Sequence, residues 1–154
     1  RPLDLSWQEF VLLPHVVRVS DFHCVTTWSK LDNRWEGIAF GTIAERTRPR
    51  ADAAHVMAHC SDGYTTNVPL RALLGGDALL ALRHDGRDLE AEHGGPMRLV
   101  VPQLYGWKSG KWLRGLEFLT ADRRGYWEER GYHNRADPWK EERYSHQEEE
   151  DDEG

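Results

Sequence analysis

The chain has 154 residues, 39% hydrophobic and including seven Trp, enough to close one core, since a domain of this size typically buries roughly 68–70% of its unfolded surface. No run approaches the ~20 apolar residues of a membrane-spanning helix, and the opening RPLDLSWQEF lacks the basic-then-apolar pattern of a secretory signal, so a soluble, cytoplasmic protein is expected, with any N-terminal segment ahead of Arg1 out of view. The formal charge of -6 sits in the tail, where Glu148 to Glu153 are all acidic and leave twenty acidic against twenty basic residues in 1–147; that balance gives nucleic acid no basic footprint, and two cysteines do not make a disulfide scaffold.

In chain order, Ser6 with Glu9 three residues on predicts a capping box and a short helix that ends before Pro14. HVVRVSDFHCV then alternates as a strand, with Val17, Val19 and Phe22 inward. A second short helix is expected in WEGIAFGTIAER, followed by the basic loop RTRPR at 46–50. HVMAHC (55–60) and TTNVPL (65–70) read as strand and turn, and PLRALL as a brief helix ended by Gly75 and Gly76. DALLALRHDGRDL reads as strand, Asp85-Gly86 turn, strand. MRLVVPQL (97–104) and KWLRGLEFLTA (111–121) are strand-like, and the aromatic, charged stretch from Asp122 to Ser145 reads as an irregular surface segment pinned by Trp127 and Trp139. Short helices scattered among strands predict an α+β domain over 1–147, with 148–154 a solvated acidic tail.

Three groups of residues bear chemistry. Between Gly94 and Leu116 the chain carries Arg98, Lys108, Lys111 and Arg114 and no acid. Within that window YGWKSGKW offers two glycines for close backbone approach and two lysines, which suits a phosphate or another compact anion as well as a plain basic hairpin. His55 and His59 at i and i+4, with Cys60 adjacent, would suit zinc on a helix; on the strand expected here Cys60 turns to the other face. Asp21, His23 and Cys24 have the composition of a thiol triad, but strand neighbours point to opposite faces, so His23 does not reach the Cys24 thiol. Taken alone, Cys24 is a buried structural thiol.

Further segments carry a resemblance. CVTTWS at 24–29, WEGIAF at 35–40, DGYTTNVPL at 62–70, HGGPMRLVVPQLYGWKSGKWL at 93–113 and GYWEERGYHNRADPW at 125–139 resemble, in order, the molybdopterin-binding domain of the sulfite oxidase superfamily. The likeness is to its small bacterial oxidoreductases, relatives of the catalytic subunit of the periplasmic methionine sulfoxide reductase system. It implies the sulfite oxidase fold, with mixed β-sheets, short helices and long irregular connections, and a molybdopterin cofactor with one molybdenum per chain. Cys24 corresponds to the family's metal-ligating cysteine, a role suited to a soft thiolate. His93 and Arg98 correspond to cofactor contacts, and Lys108, Ser109, Gly110 and Lys111 to the loop around the cofactor's phosphate. Tyr64 corresponds to a tyrosine lining the substrate pocket, and His59 or Cys60 falls near a further cofactor contact.

The resemblance implies two-electron oxygen-atom transfer on a small S-oxide, N-oxide or sulfite-like substrate, with the cofactor supplying the chemistry. Where sulfite oxidases place arginines after the cysteine, this chain has Val25, Thr26 and Thr27. A tetrahedral anion loses a bidentate partner there, which turns the expectation toward a neutral sulfoxide or N-oxide. The length leaves no room for a haem domain, so a separate electron-transfer partner is expected. A cofactor-free domain that keeps the fold as an interaction module is the alternative.

Overall fold

The computed structural model describes residues 2–23, 29–61, 63–75, 77–102, 104, 108–125 and 144. Helix α1 (Trp7–Val11) starts at the expected capping box: Glu9 N donates to Ser6 Oγ at 3.1 Å, and Ser6 N donates to Glu9 Oε1 at 3.2 Å. Two orphan amides of the helix start are thereby satisfied, and Phe10 and Leu13 anchor the segment in the core.

The strands form two sheets. In the first, β1 (Val16–His23) pairs with β2 (Ser29–Ala39), and β2 pairs with β5 (Leu79–His84). The other edge of β5 is shared by β6 (Arg87–Asp88) and β7 (Arg98–Val100). The second sheet runs β4 (Thr65–Pro69), β3 (His55–Cys60), β8 (Leu113–Leu119). Two short helices, α2 (Phe40–Thr47) and α3 (Leu70–Leu74), connect the sheets. Where mixed sheets are expected, every pairing among the described residues is antiparallel. The α+β class stands.

The main core lies between the sheets. Ile38, Leu80, Leu82 and Leu99 come from the first, Val56, Ala58, Cys60, Val68 and Leu113 from the second. The period-2 alternation of β3 turns Val56, Ala58 and Cys60 inward, leaving His55 and His59 on the other face. The first sheet buries a second cluster on its far face, made of Trp35, Leu79, Ala81 and Val100 with Leu89 against them.

Two expectations change. Residues 35–39 are strand, not helix, because Trp35–Ala39 hydrogen-bond to β5 from His84 to Leu79, and the helix begins only at Phe40. In β1 the alternation is present with its faces exchanged: Val17 and Val19 are 41% and 60% exposed. Over Val16–Ser20 it is Val16, Arg18 and Ser20 that are partly buried, on the opposite face from Val17 and Val19. Among the described residues no helix is long and apolar enough to cross a membrane.

Candidate functional site

The basic window folds back on itself. Leu99 N donates to Gly110 O at 2.9 Å, Leu113 N to Met97 O at 2.9 Å and Trp112 N to Gly94 O at 3.1 Å, so residues 109–113 run beside 94–99. Val101 N donates to Ser109 Oγ at 2.9 Å, which locks the turn that carries the loop. Two glycines let the segments meet. Gly94 has φ 101°, where L side chains are strained, and a Cβ there would stand 2.9 Å from Lys111 Cβ. A Cβ on Gly110 would stand 3.0 Å from the Cys60 thiol, which lies beneath the loop.

Arg98 is the clamp. It is 5% exposed; Nη1 donates to the His93 carbonyl at 3.1 Å and Nη2 to the Ser109 carbonyl at 2.8 Å. Burial lowers its pKa to about 10, opposed by the nearby Cys60. Lys111 donates to the Glu92 carbonyl at 3.0 Å and lies 5.9 Å from the centroid of the Trp112 ring. Its pKa is lowered by burial and then by the charge of Arg98. Two neighbouring cations, of which Arg98 lowers Lys111, are held on backbone carbonyls beside glycine backbone and fit an anionic group such as the phosphate of a pterin cofactor.

His93, Arg98, Ser109, Gly110 and Lys111 are thus brought together. Lys108 departs from them. Its ammonium is wholly buried and donates to Asn67 O at 2.5 Å and to Asn67 Oδ1 at 3.2 Å, on β4. Asn67 is the residue that sequence reasoning missed. It is 1% exposed, its Nδ2 donates to Asp122 Oδ1 at 2.9 Å, and its Oδ1 also accepts from Gly125 N at 3.2 Å. The one local signal was an amide inside an otherwise strand-like TTNVP.

His59 is not carried to the loop. It faces the opposite side of the second sheet, with Nε2 3.0 Å from Glu117 Oε1, while its neighbour Cys60 is the one against Gly110. Tyr64 is half-buried against the main core, its carbonyl accepting from Cys60 N at 3.0 Å. Cys24 lies outside the described residues. The zinc alternative does not assemble: His55 faces Asp122 at 3.5 Å, His59 faces Glu117, and Cys60 points inward. Among the described residues, the grouping able to offer a cation three ligands is Glu90, Glu92 and His93, all exposed. A groove of about 510 Å³ is lined by Trp7, Ile43, Pro96, Met97, Leu113 and Phe118, and by none of His93, Arg98, Ser109, Gly110 or Lys111.

Residues 1–127 match the family described as oxidoreductase molybdopterin binding domain. The chain is 44% identical over 144 residues to an uncharacterized oxidoreductase, YuiH, of Bacillus subtilis, covering 94% of this chain and 73% of that one. It is 34% identical over 124 residues to a putative protein-methionine-sulfoxide reductase subunit, YedZ1, of Azospira oryzae, covering 80% of this chain and 47% of the relative. It is 27% identical over 145 residues to the protein-methionine-sulfoxide reductase catalytic subunit MsrP of Campylobacter jejuni, covering 83% and 48%. It therefore spans about half the length of these last two relatives. Among solved structures, the sulfane dehydrogenase SoxCD of Paracoccus pantotrophus shares the fold with a TM-score of 0.70 at 18% identity, over 79% of this chain and 36% of that one.

Proposed function

The chain belongs to the oxidoreductase molybdopterin-binding domain family, and on that premise we propose that it holds one molybdenum cofactor and catalyses two-electron oxygen-atom transfer on a small S-oxide or N-oxide. The observation that carries this reading is the Arg98 clamp. It fixes the Ser109–Lys111 turn against His93 and Gly94 and keeps two cations side by side.

When bound, the cofactor supplies a redox metal able to exchange two electrons with the substrate. The chain's own part is placement and charge. Lys111 and the buried guanidinium of Arg98 provide the positive potential that retains the phosphate, while Ser109 and Gly110 bring backbone close to it. His93, exposed on the turn Ala91–His93, borders the same loop. Lys108 holds the loop from behind through Asn67. Cys24 provides the soft thiolate for the metal, and Tyr64 contributes a wall and a hydroxyl to the substrate side.

The substrate class rests on the three residues after Cys24. Val25, Thr26 and Thr27 offer no guanidinium for a tetrahedral anion, whereas a neutral oxide needs only a shaped wall with one or two donors. The names of two relatives point the same way, since both carry methionine sulfoxide reductase in their description. Electrons come from a separate partner in this reading.

The test is metal and pterin analysis of protein made in a host that synthesises the cofactor. Molybdenum near one equivalent, with Cys24→Ser losing the thiolate-to-metal absorption, is the expected result. Full molybdenum loading with an unchanged spectrum in the variant, or stoichiometric zinc, would overturn it. For the substrate, reduction of small S-oxides by an artificial donor should outpace sulfite oxidation with ferricyanide; the reverse order replaces the substrate and leaves the cofactor assignment in place.

A further inference from the structure

Trp35 is 5% exposed, yet its indole Nε1 is a buried donor with no hydrogen-bond partner among the described residues. A buried N–H left unmade forfeits its full hydration, so such donors are rare unless something else satisfies them. The neighbours hold this ring in place. The His84 ring lies 4.5 Å away, centroid to centroid, and His84 Nε2 is fixed on Asn33 Oδ1 at 2.9 Å. On another side Arg98 Cζ is 5.6 Å from the ring centroid.

The register explains that approach. Pairing of Leu79 with Val100 and of Ala81 with Arg98 puts Arg98 on the face of the first sheet that carries Leu79, Ala81, Val100 and Trp35. The residue that ties His93 to Ser109 therefore shares its sheet face with the indole, and its guanidinium lies between Trp35 and the cationic loop. The cation over the ring accounts for the aromatic face. It leaves the N–H unexplained.

We propose that Trp35 Nε1 donates a hydrogen bond to an oxygen acceptor of the bound cofactor, either its phosphate or its pyranopterin, while the ring supports Arg98. Trp35 is thus a cofactor-binding residue beyond the motif set of Cys24, His93, Arg98 and the 108–111 loop. The inference rests on the cofactor reading above.

The experiment uses the full chain with ¹⁵N-labelled tryptophan, purified with and without cofactor, and the indole resonance of Trp35 assigned through Trp35→Phe. Downfield movement of that resonance and slower solvent exchange in the loaded protein are expected. Trp35→Phe should retain about fivefold to tenfold less pterin per chain, the effect of one hydrogen bond. Inorganic phosphate titrated into the cofactor-free protein separates the two acceptors: a shift with phosphate alone assigns the phosphate, and a shift only with pterin assigns the ring system. Wild-type protein that carries molybdenum and pterin with an unmoved Trp35 resonance overturns the proposal and leaves the cofactor reading standing, even if the variant loses cofactor by unfolding. Wild-type protein that binds neither pterin nor phosphate sinks both.

Discussion

Arg98 Nη2 donates to the carbonyl of Ser109 at 2.8 Å, and because its other terminal nitrogen is on His93 O, one buried guanidinium joins the two walls of the cationic loop. Sequence alone treats Arg98 and Lys111 as equivalent anion contacts. The structure separates them. Arg98→Ala removes two hydrogen bonds from a buried charged donor and should cost about 2–4 kcal/mol of folding stability along with cofactor retention.

Lys111→Ala, at a half-buried position, should lose cofactor or phosphate retention with little change in Tm. The pH dependence comes from its lowered pKa, caused by burial and then by Arg98. Between that lowered value and the ordinary lysine value of about 10.4, the unfolded chain holds a proton that the folded chain has released, so stability rises with pH across the window. Anion retention moves the other way and fades at a pH below the ordinary lysine range. Retention measured against pH for wild type and Lys111→Ala checks it; parallel curves would show that Lys111 does not hold the anion.

How much of this was legible in the sequence depends on whether the deciding partner is local. The Ser6–Glu9 capping box, the Asp85-Gly86 turn and the strand at 55–60 were readable because each is set within a few residues. Strand β2 was not. Its residues bury Trp35 on one face and Ile38 on the other, which erases the alternation that marks a half-exposed strand. Val17 and Val19 show the complementary failure, since alternation gives the period of a strand and not which face meets the core. The acid-free window announced a positive loop, yet nothing local says that Lys108 is buried. That is decided by Asn67, forty-one residues away along the chain. Likewise the parity of β3 determines that Cys60, not His59, lies under Gly110.

Asn67 is expected to be among the more costly single positions outside the apolar core. Asn67→Ala removes Oδ1 as acceptor for both Lys108 Nζ and Gly125 N, and Nδ2 as donor to Asp122, all at a site 1% exposed. A loss of about 2–4 kcal/mol is expected from leaving buried partners unmet. Lys108→Met, which removes the charge and keeps an apolar stem of similar length, should cost less. Chemical denaturation of the two variants checks the order, and a milder Asn67→Ala would show that the ammonium is held by other means.

Glu117 gives a pH effect on the opposite side of the second sheet. Hydrogen bonds from His59, then Arg123, hold its carboxyl below the ordinary range. A depressed carboxylate pKa contributes stability that is present above the unfolded value of about 4.3 and is lost as pH falls through the folded value. His59 and Glu117 are 43% and 45% exposed, so solvent screening limits the contribution to the order of 0.5 kcal/mol. Glu117→Gln should flatten the acid limb of the stability curve below about pH 4.3 and leave pterin content unchanged. A drop in pterin content would bring His59 and Glu117 back into the cofactor site.

The contact between Gly110 and Cys60 tests whether the loop is positioned from below. A Cβ at residue 110 would stand 3.0 Å from Cys60 Sγ and 3.9 Å from Thr66 Cγ2, closer to the sulfur than ordinary van der Waals contact allows. Either the sulfur retreats into the core, where it is 7% exposed and packed, or the loop lifts and strains the bond from Leu99 N to Gly110 O. Gly110→Ala should therefore destabilise by about 1–3 kcal/mol, as overpacking does, and reduce retention of phosphate or pterin. Cys60→Ala alone should cost a similar amount through the lost sulfur contacts, without moving the loop. In Cys60→Ala/Gly110→Ala the new methyl enters the space the sulfur leaves, so the double variant should be more stable than the sum of the single effects by about 0.5–2 kcal/mol and should regain anion retention. Strict additivity, with retention still lost in the double variant, would mean that the loop is set by its hydrogen bonds to Arg98 and Leu99 alone and that the thiol beneath it is a bystander.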